Sequence, residues 1–214
     1  MNDEYGPDVI QHLEGLEGIR HRPELYIGPI ETLAALNTLL AESLCIALAN
    51  ANGGCASEVT IKINDDGNAS VRDNGPGLEL TKFSNGRTLI EVLFTEIYAC
   101  RAHKDSKDQH AFCEVGIVTT TALSEWLVVE TVRDGWLWEQ RFERGKVTGP
   151  IERRRECTEQ WQQISFLPDH EIFGAAKLSP SFFKDWFLAK KYDLGQAKVT
   201  FVHGVESLSL NPRT

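Results

Sequence analysis

Val71-Arg72-Asp73-Asn74-Gly75-Pro76-Gly77 is the stretch on which the fold of this chain turns. An acid is followed by two glycines at alternate positions, D-x-G-x-G, directly after residues of β character, Val59-Thr60-Ile61-Lys62-Ile63 and Ala69-Ser70-Val71. Glycine takes turn geometries that other residues resist and lets backbone pass close to a ligand. An ionised aspartate only accepts hydrogen bonds, so one placed just before the turn aims a carboxylate into the space the glycines open. Such a carboxylate takes a hydrogen bond from an exocyclic amine and favours adenine over guanine, which presents a carbonyl there. The same residues also fit a polar hairpin end that binds nothing, and the motif alone leaves both readings open.

Working outward, residues 1–7 read as an N-terminal arm and 8–214 as a single domain. Residues 8–20 have helical spacing, with Val9, Leu13, Leu16 and Ile19 on one face. Arg20-His21-Arg22-Pro23 ends that helix, and Tyr26-Ile27-Gly28-Pro29 reads as a short link. Residues 32–52 form the longest expected helix, its stripe being Leu33, Leu36, Leu40, Leu44, Ala47 and Ala51, and Gly53-Gly54 stops it. Two strands follow, joined at Asp65-Asp66-Gly67-Asn68. A helix is expected over 88–99, a polar surface loop over 100–110 and a short helix over 115–123. Strands are expected at 125–133 and 136–144, with Asp134-Gly135 as their turn, and at 163–167. Ser179-Pro180 opens a helix running to about Tyr192, and strands at 198–202 and 205–210 close the chain. No βαβ alternation and no G-x-G-x-x-G are present, so the pattern predicts an α+β layered fold rather than a dinucleotide-binding one.

With 214 residues, 42% hydrophobic and 25% charged, the chain suits one large globular domain. A net charge of -9 argues against a surface that attracts nucleic acid or anionic lipid, so direct DNA binding is not expected. Arg153-Arg154-Arg155 is flanked by Glu152 and Glu156 and reads as a solvated strand or loop edge. The five cysteines, Cys45, Cys55, Cys100, Cys113 and Cys157, include no CxxC pair, which signals neither a zinc site nor a disulfide framework. Cys45 is expected to pack as a small hydrophobe. No N-terminal signal is visible and no apolar run reads as membrane-spanning, so a reducing cytoplasmic setting is expected. Trp126, Trp136 and Trp138 fit either sheet packing or an exposed partner surface.

Several segments align together: Tyr5 with Ile10, Gly15-Leu16-Glu17-Gly18-Ile19-Arg20-His21-Arg22-Pro23, Tyr26-Ile27-Gly28, Glu42, Asp73-x-Gly75-x-Gly77, Ala122-Leu123-Ser124 and Arg133. On these residues the chain resembles the N-terminal ATPase domain of the gyrase B and topoisomerase IV B proteins, in the GHKL ATP-binding superfamily. The Arg-x-Arg-Pro-x-x-Tyr-Ile-Gly run is far more specific than D-x-G-x-G. The resemblance implies the Bergerat fold, a two-layer α+β sandwich with helices on one face of a mixed, mostly antiparallel sheet. It implies ATP or ADP as ligand. It makes Glu42 the base that activates the attacking water and Asp73 the adenine anchor, with Gly75 and Gly77 beside it. It places Val71, Leu78, Ile164, Ser43, Gln162, Val115 and Gly116 around the nucleotide and Arg133 at the pocket rim. Tyr5 and Ile10 lie on an arm that reaches across a homodimer in the family.

The chain departs from the family where the triphosphate and metal are held. Ile46 stands one turn after Glu42, where the family has the asparagine that ligates Mg²⁺, and a hydrocarbon offers no oxygen to a hard cation. Asn50 is a turn further along, about 5 Å away, and reads either as a substitute ligand or as a polar residue near a helix end; Asn37 lies off the needed face. Cys100-Arg101-Ala102 replaces the family's Gly-Gly-Lys, and His110-Ala111-Phe112-Cys113-Glu114-Val115-Gly116 keeps only Val115 and Gly116 of the glycine-rich phosphate turn. Glu114 puts an acid where phosphate would approach, while Lys104 and Lys107 read as solvated loop charges. Gln162 stands for a family threonine. Pro76 and Asn50 replace both members of a family ion pair. These departures point to an adenine-nucleotide-binding pseudoenzyme with degenerate magnesium and phosphate sites and little or no hydrolysis, so Mg²⁺ is not expected as a tight cofactor. Two alternatives compete with it: a competent ATPase of type II topoisomerase kind, driving DNA supercoiling or strand passage, and a ligand-free interaction scaffold. No transducer or DNA-cleavage domain is expected within the chain.

Overall fold

The computed structural model describes residues 13, 15–97, 99, 116–190 and 195–210. The expected arm with Tyr5 and Ile10, the first part of the helix over 8–20, the loop over 100–110 and Val115 lie outside them. In chain order the elements are α1 (Glu17–His21), α2 (Glu24–Ile27), α3 (Leu33–Asn52), β1 (Glu58–Ile63), β2 (Ala69–Asp73), α4 (Leu89–Thr95), α5 (Val118–Ala122), β3 (Ser124–Arg133), β4 (Trp136–Glu143), β5 (Lys146–Val147), β6 (Glu152–Glu156), β7 (Gln162–Pro168), α6 (His170–Phe173), α7 (Pro180–Lys190), β8 (Lys198–His203) and β9 (Glu206–Leu210).

Helix α3 is the centre of the molecule. Thr32 caps its start, its Oγ1 accepting from the Ala35 N–H at 3.3 Å, and the N–H of Gly53 closes its end on the Ala49 carbonyl at 2.9 Å. Leu36, Leu39, Leu40, Leu44 and Leu48 are buried. The helix has 20 residues and a mean hydropathy of 1.5, long and apolar enough to cross a bilayer, contrary to the sequence reading. Burial of two thirds of that stretch inside the fold marks it instead as a core helix.

Among the described residues nine strands form one sheet, ordered β5-β4-β3-β7-β2-β1-β8-β9, with β6 also on β4. Only β1 and β8 run parallel among these pairings; the others are antiparallel. The sheet is thus mixed and mostly antiparallel, as expected. Period-two alternation decides its faces. Val59, Ile61 and Ile63 on β1, Val71 on β2, Leu127 and Val129 on β3 and Ile164 and Phe166 on β7 share one buried cluster with the α3 leucines. The intervening Thr60, Lys62, Ser70, Arg72, Gln163 and Ser165 are polar and point away from it.

Several local expectations need correction. The short link expected at Tyr26-Ile27-Gly28-Pro29 begins inside a helical turn, Glu24–Ile27, which Gly28 leaves at φ 75°. Helix α4 stops at Thr95 because Glu96 is extended; its start is a full capping box between Thr88 and Glu91. The arginine run, by contrast, is the exposed strand that its sequence allows, β6, with the Arg153 guanidinium 4.1 Å above the Trp136 ring. Helix α6 has no counterpart among the expected elements; Asp169 caps it. Cys45 is buried but disulfide-bonded rather than a plain hydrophobe.

Candidate functional site

Cross-strand register builds the site. Asp73 at the end of β2 faces Gln162 at the start of β7, and Gln162 faces Thr131 on β3. All three occupy the inward, helix-facing row, where alternation would otherwise put hydrophobes. All three are buried.

Asp73 is 2% exposed and accepts hydrogen bonds from three separate elements. Asn50 Nδ2 on α3 donates to Oδ1 at 3.0 Å, the Gly75 N–H donates to Oδ1 at 2.9 Å, and Gln162 Nε2 donates to Oδ2 at 2.8 Å. Burial pushes the Asp73 carboxyl above its ordinary value, and the bonds from Gln162, Asn50 and Gly75 offset that only in part. An ionised carboxylate has about four acceptor positions, so one on Oδ2 remains for a further donor.

The glycines serve the protein's own packing. A Cβ on Gly75 would lie 2.6 Å from Asp73 Oδ1 and 2.8 Å from Asn50 Nδ2. Gly77 sits at φ 76°, and a Cβ there would lie 2.6 Å from both Thr131 Oγ1 and the Val132 carbonyl oxygen. That close approach lets the Leu78 N–H donate to Thr131 Oγ1 at 2.8 Å. The turn after Asp73 is therefore pressed onto β3.

Glu42 lies in the middle of α3, 2% exposed. Its Oε2 accepts from the Gly116 N–H at 2.9 Å, and Cys45 Sγ lies 3.7 Å from the same oxygen. Ser43 is buried and donates to the Leu40 carbonyl at 2.7 Å. Ile46 is partly buried and packs against the main core cluster, so this position on the helix presents carbon and no ligand atom. Val71 and Ile164 belong to that cluster, and Leu78 packs against it. Arg133 Nη1 donates to the Pro76 carbonyl at 3.2 Å, so Arg133 clasps the turn that carries the glycines.

Sequence reasoning does not place Asn50 on Asp73, nor Thr131 on the glycine turn. The signal for Thr131 is available: it continues the inward row of Leu127 and Val129. Asn50 reads from sequence as a metal substitute or a helix-end polar residue, whereas its amide is spent on Asp73. Arg20 of the Arg-x-Arg-Pro run also finds its place here. Its Nη1 donates to the Ala122 carbonyl and its Nη2 to Asp169 Oδ2, both at 2.7 Å, and Arg144 Nε joins the same oxygen at 2.9 Å. That network pins α1 to the end of α5 and to the cap of α6.

Comparison with known proteins agrees with this fold. The chain is 34% identical to the DNA gyrase B protein of Thermus thermophilus over 97% of its own length, and 34% identical to the DNA gyrase B protein of Thermotoga maritima over 83%. It is 34% identical to the DNA topoisomerase 4 B protein of Staphylococcus aureus over 80% of its length. It spans only 34%, 28% and 26% of those three relatives, respectively. Its fold matches the crystal structure of the 43K ATPase domain of Thermus thermophilus gyrase B in complex with an aminocoumarin, with a TM-score of 0.79 and 30% identity, covering 92% of this chain and 51% of that one. No family model matches.

Proposed function

Starting from a chain that is a GHKL-type domain of the gyrase B and topoisomerase IV B family, we propose that it binds an adenine nucleotide and hydrolyses it poorly or not at all. The observation that carries this reading is the Asp73 cluster. A buried carboxylate is oriented by donors from α3, β7 and its own turn, with acceptor capacity left over. An adenine exocyclic amine is a donor that such a site accepts; a guanine carbonyl is not.

The metal half of the site does not fit a magnesium ion. Ile46 packs in the core margin and presents only carbon, and Asn50 donates its amide nitrogen to Asp73, so no step is assigned to a bound metal. Phosphoryl transfer rests on positioning and charge neutralisation, and the loss of a metal ligand removes much of both. Glu42 would still stand as the base, held by the Gly116 N–H. Nucleotide-linked homodimerisation through the arm bearing Tyr5 and Ile10 belongs to the same proposal, as does a cytoplasmic setting. The net charge of -9 speaks against direct DNA binding.

Titration calorimetry with ATP and ADP, with and without Mg²⁺, tests the proposal beside a phosphate-release assay. Saturable binding that is indifferent to Mg²⁺ and lost in Asp73→Asn is expected, with no phosphate released. Silence toward every adenine nucleotide would defeat the binding claim. Mg²⁺-dependent turnover abolished by Glu42→Ala would defeat the claim of poor hydrolysis and restore the competent ATPase.

A further inference from the structure

We infer that the chain has a second small-molecule site, remote from Asp73, and that it takes a free amino acid with an apolar or aromatic side chain. The site is a cavity of about 330 Å³ between helix α7 and the β1-β8-β9 side of the sheet. It lies at the opposite end of the β1-β2 hairpin from the Asp73 cluster, because Asp73 pairs with Val59 whereas Ile63 pairs with Ala69. The inference is independent of the nucleotide reading.

Strand register forms the floor. Ile61 pairs with Phe201, and Phe201 with Leu208, so their side chains share a row on the helix-facing side. His203 and Glu206, also a pair, continue that row. Ile61 and Ile63 are 1% and 4% exposed, so the cavity reaches down to the main core. Pro180, Ser181 and Lys184, at the start of α7, form the opposite wall. Phe201 is held by Phe187, whose ring meets it edge-on with centroids 5.3 Å apart. The apolar surface is therefore in place before any ligand arrives, as in most small-molecule sites.

The charges select the ligand. Lys184 is half-buried and Glu206 is exposed; both line the cavity, and they do not pair with each other. Neither side chain has a hydrogen bond or ion pair among the described residues. His203 differs, since its Nε2 meets Asp65 Oδ1 at 2.9 Å. An apolar floor with one cation and one anion above it matches a zwitterion that carries a hydrocarbon arm. The ligand carboxylate goes to Lys184, the ammonium to Glu206 and the arm onto Ile61, Ile63, Phe201 and Leu208. Ligand cavities span about 300–1,000 Å³; this one, at the lower end, suits a single amino acid and is too small for a nucleotide.

Titration calorimetry on the full chain tests the site with L-phenylalanine and three analogues. Phenylpropanoate lacks the ammonium, phenethylamine lacks the carboxylate and glycine lacks the arm. L-Phenylalanine is expected to saturate the site, and each analogue to bind about three- to tenfold more weakly, the range for one charged contact at a partly exposed position. Lys184→Gln and Glu206→Gln should each weaken L-phenylalanine by the same factor. Glu206→Gln should leave phenylpropanoate unaffected, and Lys184→Gln should leave phenethylamine unaffected. Neither substitution opens the core, and a thermal melt confirms that each variant is folded. No saturable binding of L-phenylalanine up to its solubility would overturn the inference. So would phenylpropanoate or phenethylamine binding as tightly as L-phenylalanine, or folded variants that keep the wild-type affinity.

Discussion

Replacing Gly77 with alanine isolates what the glycine turn does for the protein itself. Two costs combine. The residue sits at φ 76°, and an L-residue held in the left-handed region loses about 1–2 kcal/mol. The added methyl would lie 2.6 Å from the Val132 carbonyl oxygen and 2.6 Å from Thr131 Oγ1. Thr131 can rotate away only by giving up the Leu78 N–H, and the carbonyl can move only with its strand. Overpacking of that kind costs about 1–3 kcal/mol. The sum, about 2–5 kcal/mol, is a large part of the 5–15 kcal/mol of a typical domain. Gly86→Ala is the matched control: its φ is 83°, and no atom lies within 4 Å of the added methyl, so only the backbone cost of about 1–2 kcal/mol applies. Urea unfolding of the two variants without nucleotide gives the difference. Equal midpoints and slopes for the two would refute the argument that the turn is pressed onto β3, and would return Gly77 to a role in ligand approach alone.

Other perturbations probe separate parts of the fold. Burial pushes the Asp169 carboxyl up, but the bonds from Arg144, Arg20 and the Glu171 N–H outweigh it and hold the group below its ordinary value. Its stabilisation is thus present above the unfolded-state pKa and lost as pH falls through the folded one, so Asp169→Asn should flatten the acid limb of a stability-against-pH profile; an unchanged limb would contradict the network. Asp73 has the opposite sign. Its raised carboxyl is most favourable below the unfolded-state value and loses stabilisation as pH rises through the folded one. The stability of wild type relative to Asp73→Asn should therefore decline from acid toward neutral pH in denaturation series, and a rise would mean that the three donors outweigh burial. Thr88→Ala removes the capping box of α4 and should cost about 0.5–2 kcal/mol, read by chemical denaturation.

The fold class is legible because its signals are local. The α3 stripe, the Thr32 and Gly53 boundaries and the alternation in β1, β2, β3 and β7 each depend on residues a few positions apart, where backbone periodicity dictates which side chains share a face. Alternation also places Asp73 on the inward row, so its burial follows from Ile61, Val71 and their neighbours. Helix α2 escapes a sequence reading because a single turn between Pro23 and Gly28 is too short to display a period. Strand β6 is ambiguous because all five of its residues are exposed and no apolar alternation marks it.

What surrounds Asp73 is a different kind of question. The carboxylate is met by Asn50 from 23 residues away and Gln162 from 89 residues away, and Arg20 reaches Asp169 across 149. By itself the chain determined an α+β sandwich and an acid at the end of a strand with a glycine turn behind it. Only the tertiary structure decided that this acid is held by two amides, that Asn50 supplies one of them and that Gln162 Oε1 lacks a hydrogen-bond partner. Those facts depend on strand register and on where one helix crosses a sheet, and both are set by packing over the whole core rather than by any short stretch of residues.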